Sequence, residues 1–277
     1  AKGSLARTGN APLKGNVSAS LLESRLHGQA LTGELLADFS GDNISLSRLT
    51  LQGRGFDLHA SGDLKQRLTL AARISDFSRL IPGSAGTLRA EGWVRRSNGH
   101  FSGAITGSGG ELAYAKTRIA AVNLTARLDE GAGYPMHITA TLRDLLYDHY
   151  KLNVAAFVAD GTLSRHTIDA TLRSAGSEAR LALSGGYNTG TWKGKINRLA
   201  GRDTSGPWKL TAPATCAVSA GTFSLSPLSL SAGGAERLEI AADLALKPLA
   251  GQVRAQWAGL NLARVNPWLK DGRIDRK

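Results

Sequence analysis

The stretch Leu238-Glu239-Ile240-Ala241-Ala242-Asp243-Leu244-Ala245-Leu246-Lys247 decides the fold. Its even positions are all apolar, and its odd positions are Glu, Ala, Asp, Ala and Lys. Successive side chains of a strand point to opposite faces, so these ten residues make a strand with one apolar face and one wetter face. Working outward, the same alternation recurs at Leu68, Leu70, Ala72 and Ile74, and at Ile138, Ala140 and Leu142. It returns at Leu152, Val154, Ala156 and Val158, at Ile168, Ala170 and Leu172, at Leu181 and Leu183, and at Val253, Ala255 and Trp257. Turn signals separate the runs, among them Ser40-Gly41-Asp42-Asn43, Ser97-Asn98-Gly99, Asp160-Gly161 and Ser184-Gly185-Gly186. The spacing predicts roughly twenty strands of an all-β chain.

An open sheet rarely exceeds about ten strands before it curls or splits. The pattern alone therefore leaves a sandwich, a closed barrel or a sheet curled about a long axis. No domain boundary is visible, so residues 1–277 read as one continuous segment, with 201–207 expected as a long loop. Two echoes point to a repetitive build. Ile138-Thr139-Ala140-Thr141-Leu142-Arg143 returns as Ile168-Asp169-Ala170-Thr171-Leu172-Arg173. Asp76-Phe77-Ser78-Arg79-Leu80-Ile81-Pro82 is matched by Asn261-Leu262-Ala263-Arg264-Val265-Asn266-Pro267. Each copy of the second echo opens on a capping residue and closes on Pro, which predicts one helical turn leading into a strand.

The composition limits the chemistry. The 277 residues hold 42% hydrophobic but only 6% aromatic residues, so the apolar face is built of Leu, Ala, Ile and Val. Cys216 is the single cysteine, which excludes an intrachain disulfide and a cysteine-based metal cluster. The six histidines lack metal-ligand spacing, and Gly53-Arg54-Gly55 and Gly107-Ser108-Gly109-Gly110 lack the residues of a phosphate loop and read as turns or bulges. No nucleophile elbow is present. The expectation is a chain that is not an enzyme and has no cofactor. No window approaches 18 uninterrupted apolar residues, so no spanning helix is expected. The net charge of +12 suggests an acidic partner. The cations Arg67, Arg73, Arg89, Arg127, Arg143, Arg173 and Arg254 are spread along the polar positions without interleaved aromatics, which speaks against nucleic acid. Arg or Lys at the rim of a groove would suit lipid phosphates. Trp192, Trp208, Trp257 and Trp268 read as large core anchors.

One succession of residues is more specific. Thr191-Trp192-Lys193-Gly194-Lys195-Ile196 is followed by Gly206-Pro207-Trp208-Lys209-Leu210-Thr211-Ala212-Pro213, then Phe223 to Leu230, then Leu260-Asn261-Leu262-Ala263-Arg264-Val265-Asn266-Pro267-Trp268-Leu269. This order resembles the middle part of the TamB family, most closely over about 150–270. TamB is the inner-membrane component of the translocation and assembly module and is grouped with the AsmA-like and bridge-like lipid transfer proteins. The resemblance implies a long curled, repetitive β-sheet (a β-taco or half-pipe) with an apolar groove and short helical turns. It also implies a periplasmic location in a Gram-negative bacterium, in a full-length protein anchored to the inner membrane, of which this chain would be an interior piece. The implied role is conduction of glycerophospholipids, by contact with their acyl chains, between the inner and outer membranes. The alternative is assembly of outer-membrane barrels and autotransporters with a TamA-like outer-membrane barrel, which would dock on parts of the protein outside this chain.

By pattern alone the apolar members of the best strands read as dry core, and the resemblance makes them candidates to line the groove. They are Leu68, Leu70, Ile74, Ile138 and Leu142, then Leu152, Val154, Ile168, Leu172, Leu181 and Leu183, then Leu238, Ile240, Leu244 and Val253.

Overall fold

The computed structural model describes residues 2–6, 14–26, 28–259, 261 and 264. They form an all-β, antiparallel, repetitive structure, as the alternation predicts. The chain divides into two compact units, Ala1–Asp148 and His149–Lys277, each described by itself.

The first unit contains β1 (Lys2–Ala6), β2 (Lys14–Leu26), β3 (Gln29–Ser40), β4 (Asn43–Gly53), β5 (Phe56–Asp63), β6 (Arg67–Ile74), β7 (Ser84–Ser97), β8 (His100–Tyr114), β9 (Thr117–Leu128) and β10 (Met136–Tyr147). Each strand pairs antiparallel with the next in sequence. The second unit contains β11 (Tyr150–Thr162), β12 (Arg165–Ser174), β13 (Ser177–Asn188), β14 (Thr191–Asp203), β15 (Gly206–Leu210), β16 (Ala214–Ser219), β17 (Thr222–Ala232), β18 (Arg237–Leu246) and β19 (Leu249–Ala258). It follows the same meander with one fork. One end of β14 pairs with β15 and the other with β16, and β17 pairs with both in turn. Strands β15 and β16 therefore occupy one strand position, interrupted at Thr211-Ala212-Pro213, where Pro213 brings no N–H to a ladder. Thr211 keeps its amide and hydroxyl on the Ser229 carbonyl oxygen, at 2.9 and 3.0 Å.

Short connections set the registers. Ser97 pairs with His100 across Asn98 and Gly99, both at positive φ, as a two-residue hairpin turn requires. Residues 201–207, expected as a long loop, instead end β14 and begin β15 around a two-residue turn, with Asp203 opposite Gly206. The Gly and Ser composition that suggested a loop serves a tight reversal. Gly107 to Gly110, read as a turn or bulge, lie inside β8.

Bulges crease the strand ladders of both units. In the first unit the register slips at Leu21/Ser24, Leu36/Ala37, Leu46/Leu49 and Ala85/Thr87. In the second it slips at Ala182/Leu183 and Leu225/Leu228. Extra residues on one strand bend it and raise its twist, which lets long runs of paired strands curl where a flat sheet would fail. Gly86, at φ 110, sits on one such crease, where an added Cβ would meet the Glu111 carbonyl oxygen at 2.7 Å.

The first predicted helical turn is present as a 3-10 turn at Phe77–Arg79. Asp76 caps it. Its carboxylate accepts from the Ser78 amide at 3.0 Å, the Ser78 hydroxyl at 2.6 Å and Arg79 Nε at 3.1 Å. The hydrogen bonds from Ser78 hold the Asp76 carboxyl below its ordinary pKa. Most of the matching segment at 261–267, together with Trp268, lies outside the described residues.

Candidate functional site

Residues directly opposite each other in an antiparallel pair share a face, so the registers assign a side to every strand residue. In the first unit one row crosses nine strands: Ala19, Leu35, Leu49, Ala60, Leu70, Gly92, Ile105, Ala126 and Ile138. The neighbouring row, one residue along each strand and on the opposite face, is Ser20, Glu34, Thr50, His59, Ala71, Glu91, Thr106, Thr125 and Thr139. The wall is thus apolar on one side and mostly polar on the other across nine of the unit's ten strands, β2 to β10. Leu68, Leu70, Ile74, Ile138 and Leu142 all lie on the apolar side, with Leu142 and Ile74 in one further row through Val122, Gly109 and Leu88.

The second unit repeats the scheme. Ala159, Ile168, Leu183, Ile196 and Ala214 form one apolar row. Leu210, Leu230, Leu238 and Trp257 form another. Leu172, Leu181, Ile240, Leu244 and Val253 occupy the same side. Leu152 and Val154 do not. Val154 is opposite Arg173 and Val158 opposite Asp169, so the Leu152–Val158 series faces the polar side of the unit. On β11 the apolar side is taken by Ala155, Phe157 and Ala159. That strand is apolar at both parities, so its own alternation could not select the face, and only its register with β12 does.

Little covers the apolar side. Among the described residues the buried hydrophobic side chains are Ala37, Ala159, Ala214 and Leu228, and no large side chain is fully buried. The surface exposed is 17704 Å². A compact monomer of 29.1 kDa exposes about 11,400 Å², and two separate globules of half that mass about 13,800 Å². Each wall is a single layer whose Leu and Ile side chains pack sideways on one another and stay half-open above.

Aromatic rings tile the glycine gaps in this wall. The Trp192 indole lies across Gly194 and its cross-strand partner Gly185, where an added Cβ would meet ring carbons at 2.5 and 2.7 Å. Trp208 covers Gly201 in the same way, at 2.4 Å, and Phe56 covers Gly53. The Trp192 indole N–H donates to His166 Nε2 at 2.8 Å. Since Nε2 must accept, the proton sits on Nδ1, which donates to the Thr162 carbonyl oxygen at 3.0 Å. The ring is therefore fixed flat on the sheet. Cys216 lies in the row between Gly194 and Leu225, and burial pushes its thiol pKa up.

A charged knot ties the β14–β15 turn of the second unit to its β17–β18 loop. Arg264 holds Asp203 at 2.6 Å and Glu236 at 2.9 Å, and donates to the Gly206 carbonyl oxygen at 3.2 Å. Glu236 is 7% exposed. The hydrogen bonds to Glu236 hold the guanidinium charged beyond its ordinary range. Sequence reasoning missed this cluster, although its signal was the echo itself. Arg79 and Arg264 hold the same place in the two copies, and both lean on the turn two strands back, ahead of β5 at Gly55 and ahead of β18 at Glu236.

Among the described residues no group of three or more His, Cys, Asp or Glu is arranged to hold a metal, and no helix is long and apolar enough to cross a membrane. A cleft of about 500 Å³ lies between the 3-10 turn and β8–β9, lined by Phe77, Ile81, Leu112, Tyr114 and Ile119. The site these walls offer is thus a surface, extended and non-directional.

A family model described as the TamB N-terminal domain matches residues 2–273. The likeness drawn from the sequence was to the family's middle part and was looser before residue 150, whereas the match spans both units. No curated protein and no solved structure matches. The match over nearly the whole sequence places this chain in the TamB family.

Proposed function

We propose that this chain carries glycerophospholipids between the inner and outer membranes of a Gram-negative bacterium, as a periplasmic part of a protein anchored in the inner membrane. The reading assigns it no catalytic step. The observation that carries it is the continuous apolar side of each unit, together with the lack of any fully buried large side chain among the described residues. An acyl chain gains about 0.8 kcal/mol for each CH₂ removed from water. One leaflet's depth, about 15 Å, covers about three strands at about 4.8 Å spacing. The rows repeat from strand to strand without hydrogen-bonding groups, so neighbouring positions are close to equivalent and a chain can slide between them. Because the wall covers only one side of the chain, binding stays shallow.

The test is lipid capture and transfer by the full protein. Leu183→Arg or Ile240→Arg places a charge on the apolar side and should abolish co-purified phospholipid and stop transfer. Val158→Arg, on the polar side opposite Asp169, should leave both unchanged. Equal behaviour of the three variants would defeat the reading.

A second reading, assembly of outer-membrane barrels with a TamA-like partner, draws on β19. All ten of its residues are exposed, and among the described strands it pairs with β18 alone. Such an edge can template an incoming strand. Crosslinking from Val253 to a nascent barrel strand, with none to lipid from Leu183 or Ile240, would favour it.

A further inference from the structure

Arg173, Glu178 and Arg202 form one row across β12, β13 and β14 on the polar side of the second unit. They line a cleft of about 480 Å³ together with Arg180, Gly176 and Ser177. Glu178 organises the cleft: its carboxylate holds Arg180 Nε at 2.7 Å and Arg173 Nε at 3.9 Å. Arg202 stands opposite Glu178 and makes no ion pair among the described residues. Three guanidinium groups thus face one carboxylate, leaving two positive charges in excess.

The position matters as much as the charge. The adjoining row, one residue along each strand and on the other side of the sheet, is Leu172, Ala179, Gly201 and Trp208, with the Trp208 ring laid over Gly201. Both rows end at the same rim, formed by the tight turns after Ser174 and Asp203, and Gly176 lies 3.6 Å from Thr204 there by its would-be Cβ. At this rim cations on the polar side lie one residue from the apolar side.

We propose that the Arg173–Arg180–Arg202 cleft is a headgroup site for the phosphate of a glycerophospholipid whose acyl chains rest on the apolar side of the second unit. This rests on the conduction reading above and adds where the headgroup goes. Guanidinium groups bind phosphate oxygens in a planar, paired geometry, and such charge-assisted bonds are the strong ones. Glu178 fixes the Arg180 guanidinium in the cleft. Two excess charges suit a phosphodiester with an anionic or zwitterionic headgroup.

The test compares the full chain with its Arg173→Gln/Arg202→Gln variant and, as a control on the polar side of β19, Arg254→Gln. The probes are acyl-labelled phosphatidylglycerol, diacylglycerol with the same label, and soluble glycerol 3-phosphate. The double variant should weaken phosphatidylglycerol binding about tenfold, as expected for loss of charge-assisted contacts. It should leave diacylglycerol unchanged, and Arg254→Gln should change neither. Glycerol 3-phosphate should compete weakly, and competition as strong as that of phosphatidylglycerol would make the cleft a soluble-phosphate site and overturn the proposal. Unchanged phosphatidylglycerol affinity, or an equal loss for both lipids, would also overturn it while leaving the apolar surface intact. Failure of the unaltered chain to bind either lipid would instead defeat the conduction reading, and this site with it.

Discussion

Gly201 and Gly194 are small because a tryptophan occupies their space. Each carries an indole on the apolar side, and each also approaches a backbone carbonyl oxygen across the ladder, at 2.4 Å from Glu178 for Gly201 and 2.5 Å from Ser184 for Gly194 by the would-be Cβ. A methyl group at Gly201 must lift the ring and push the neighbouring strand together. Gly201→Ala should therefore destabilise the second unit by about 1–3 kcal/mol, the usual range for overpacking. Gly221→Ala, with open space around it and an ordinary φ, should be neutral or slightly stabilising. Thermal unfolding of the two variants checks the contrast. The Trp-x-Gly order was visible in the sequence as a family mark. Its cause was not, because the glycine is paired with a ring two residues along its own strand or on the facing strand.

At the scale of elements, the helical turn following a strand acts as a clamp on an earlier hairpin end. In the first unit the Ser75 and Asp76 amides donate to the Gly55 carbonyl oxygen at 2.8 and 3.3 Å. In the second, Arg264 ties the β14–β15 turn to the β17–β18 loop. Arg264→Met removes the guanidinium that Glu236 and Asp203 share and should cost about 3 kcal/mol, as removal of one partner from a buried ion pair does. Adding Glu236→Gln and Asp203→Asn should recover part of that loss. Hydrogen exchange should show early opening of the β14–β15 hairpin in the single variant. If Arg264→Met unfolds no sooner than the unaltered chain, the clamp is ornamental. The Asp76–Pro82 and Asn261–Pro267 echo announced the first turn and aligned Arg264 with Arg79. The acidic partners of Arg264 lie 28 and 61 residues before it, beyond any local pattern.

For the whole molecule the defining quantity is surface. With 17704 Å² exposed, unfolding uncovers less apolar area than usual for a chain of this length. The heat-capacity change should then fall below the ordinary value of about 12–15 cal/mol/K per residue. Calorimetry of delipidated protein checks this, and a value inside the ordinary range would mean that the apolar sides close on each other in solution. The sequence by itself determined the all-β class, the strand rhythm, the first helical turn and the family, because side-chain alternation, turn residues and capping are local physics. It also set which residues of β6 and β18 share one side, since Leu68, Leu70, Ile74 and the Leu238–Leu244 series alternate against charged or polar neighbours. Only the tertiary structure decided the side of β11, where Val154 opposes Arg173 and Val158 opposes Asp169, because a strand apolar at both parities takes its face from its partner's register. Only it replaced the expected 201–207 loop by a turn, and only it showed that no large side chain is fully buried among the described residues. Alternation says that a face is apolar, but whether another layer covers that face is a matter of long-range packing, which no local pattern records.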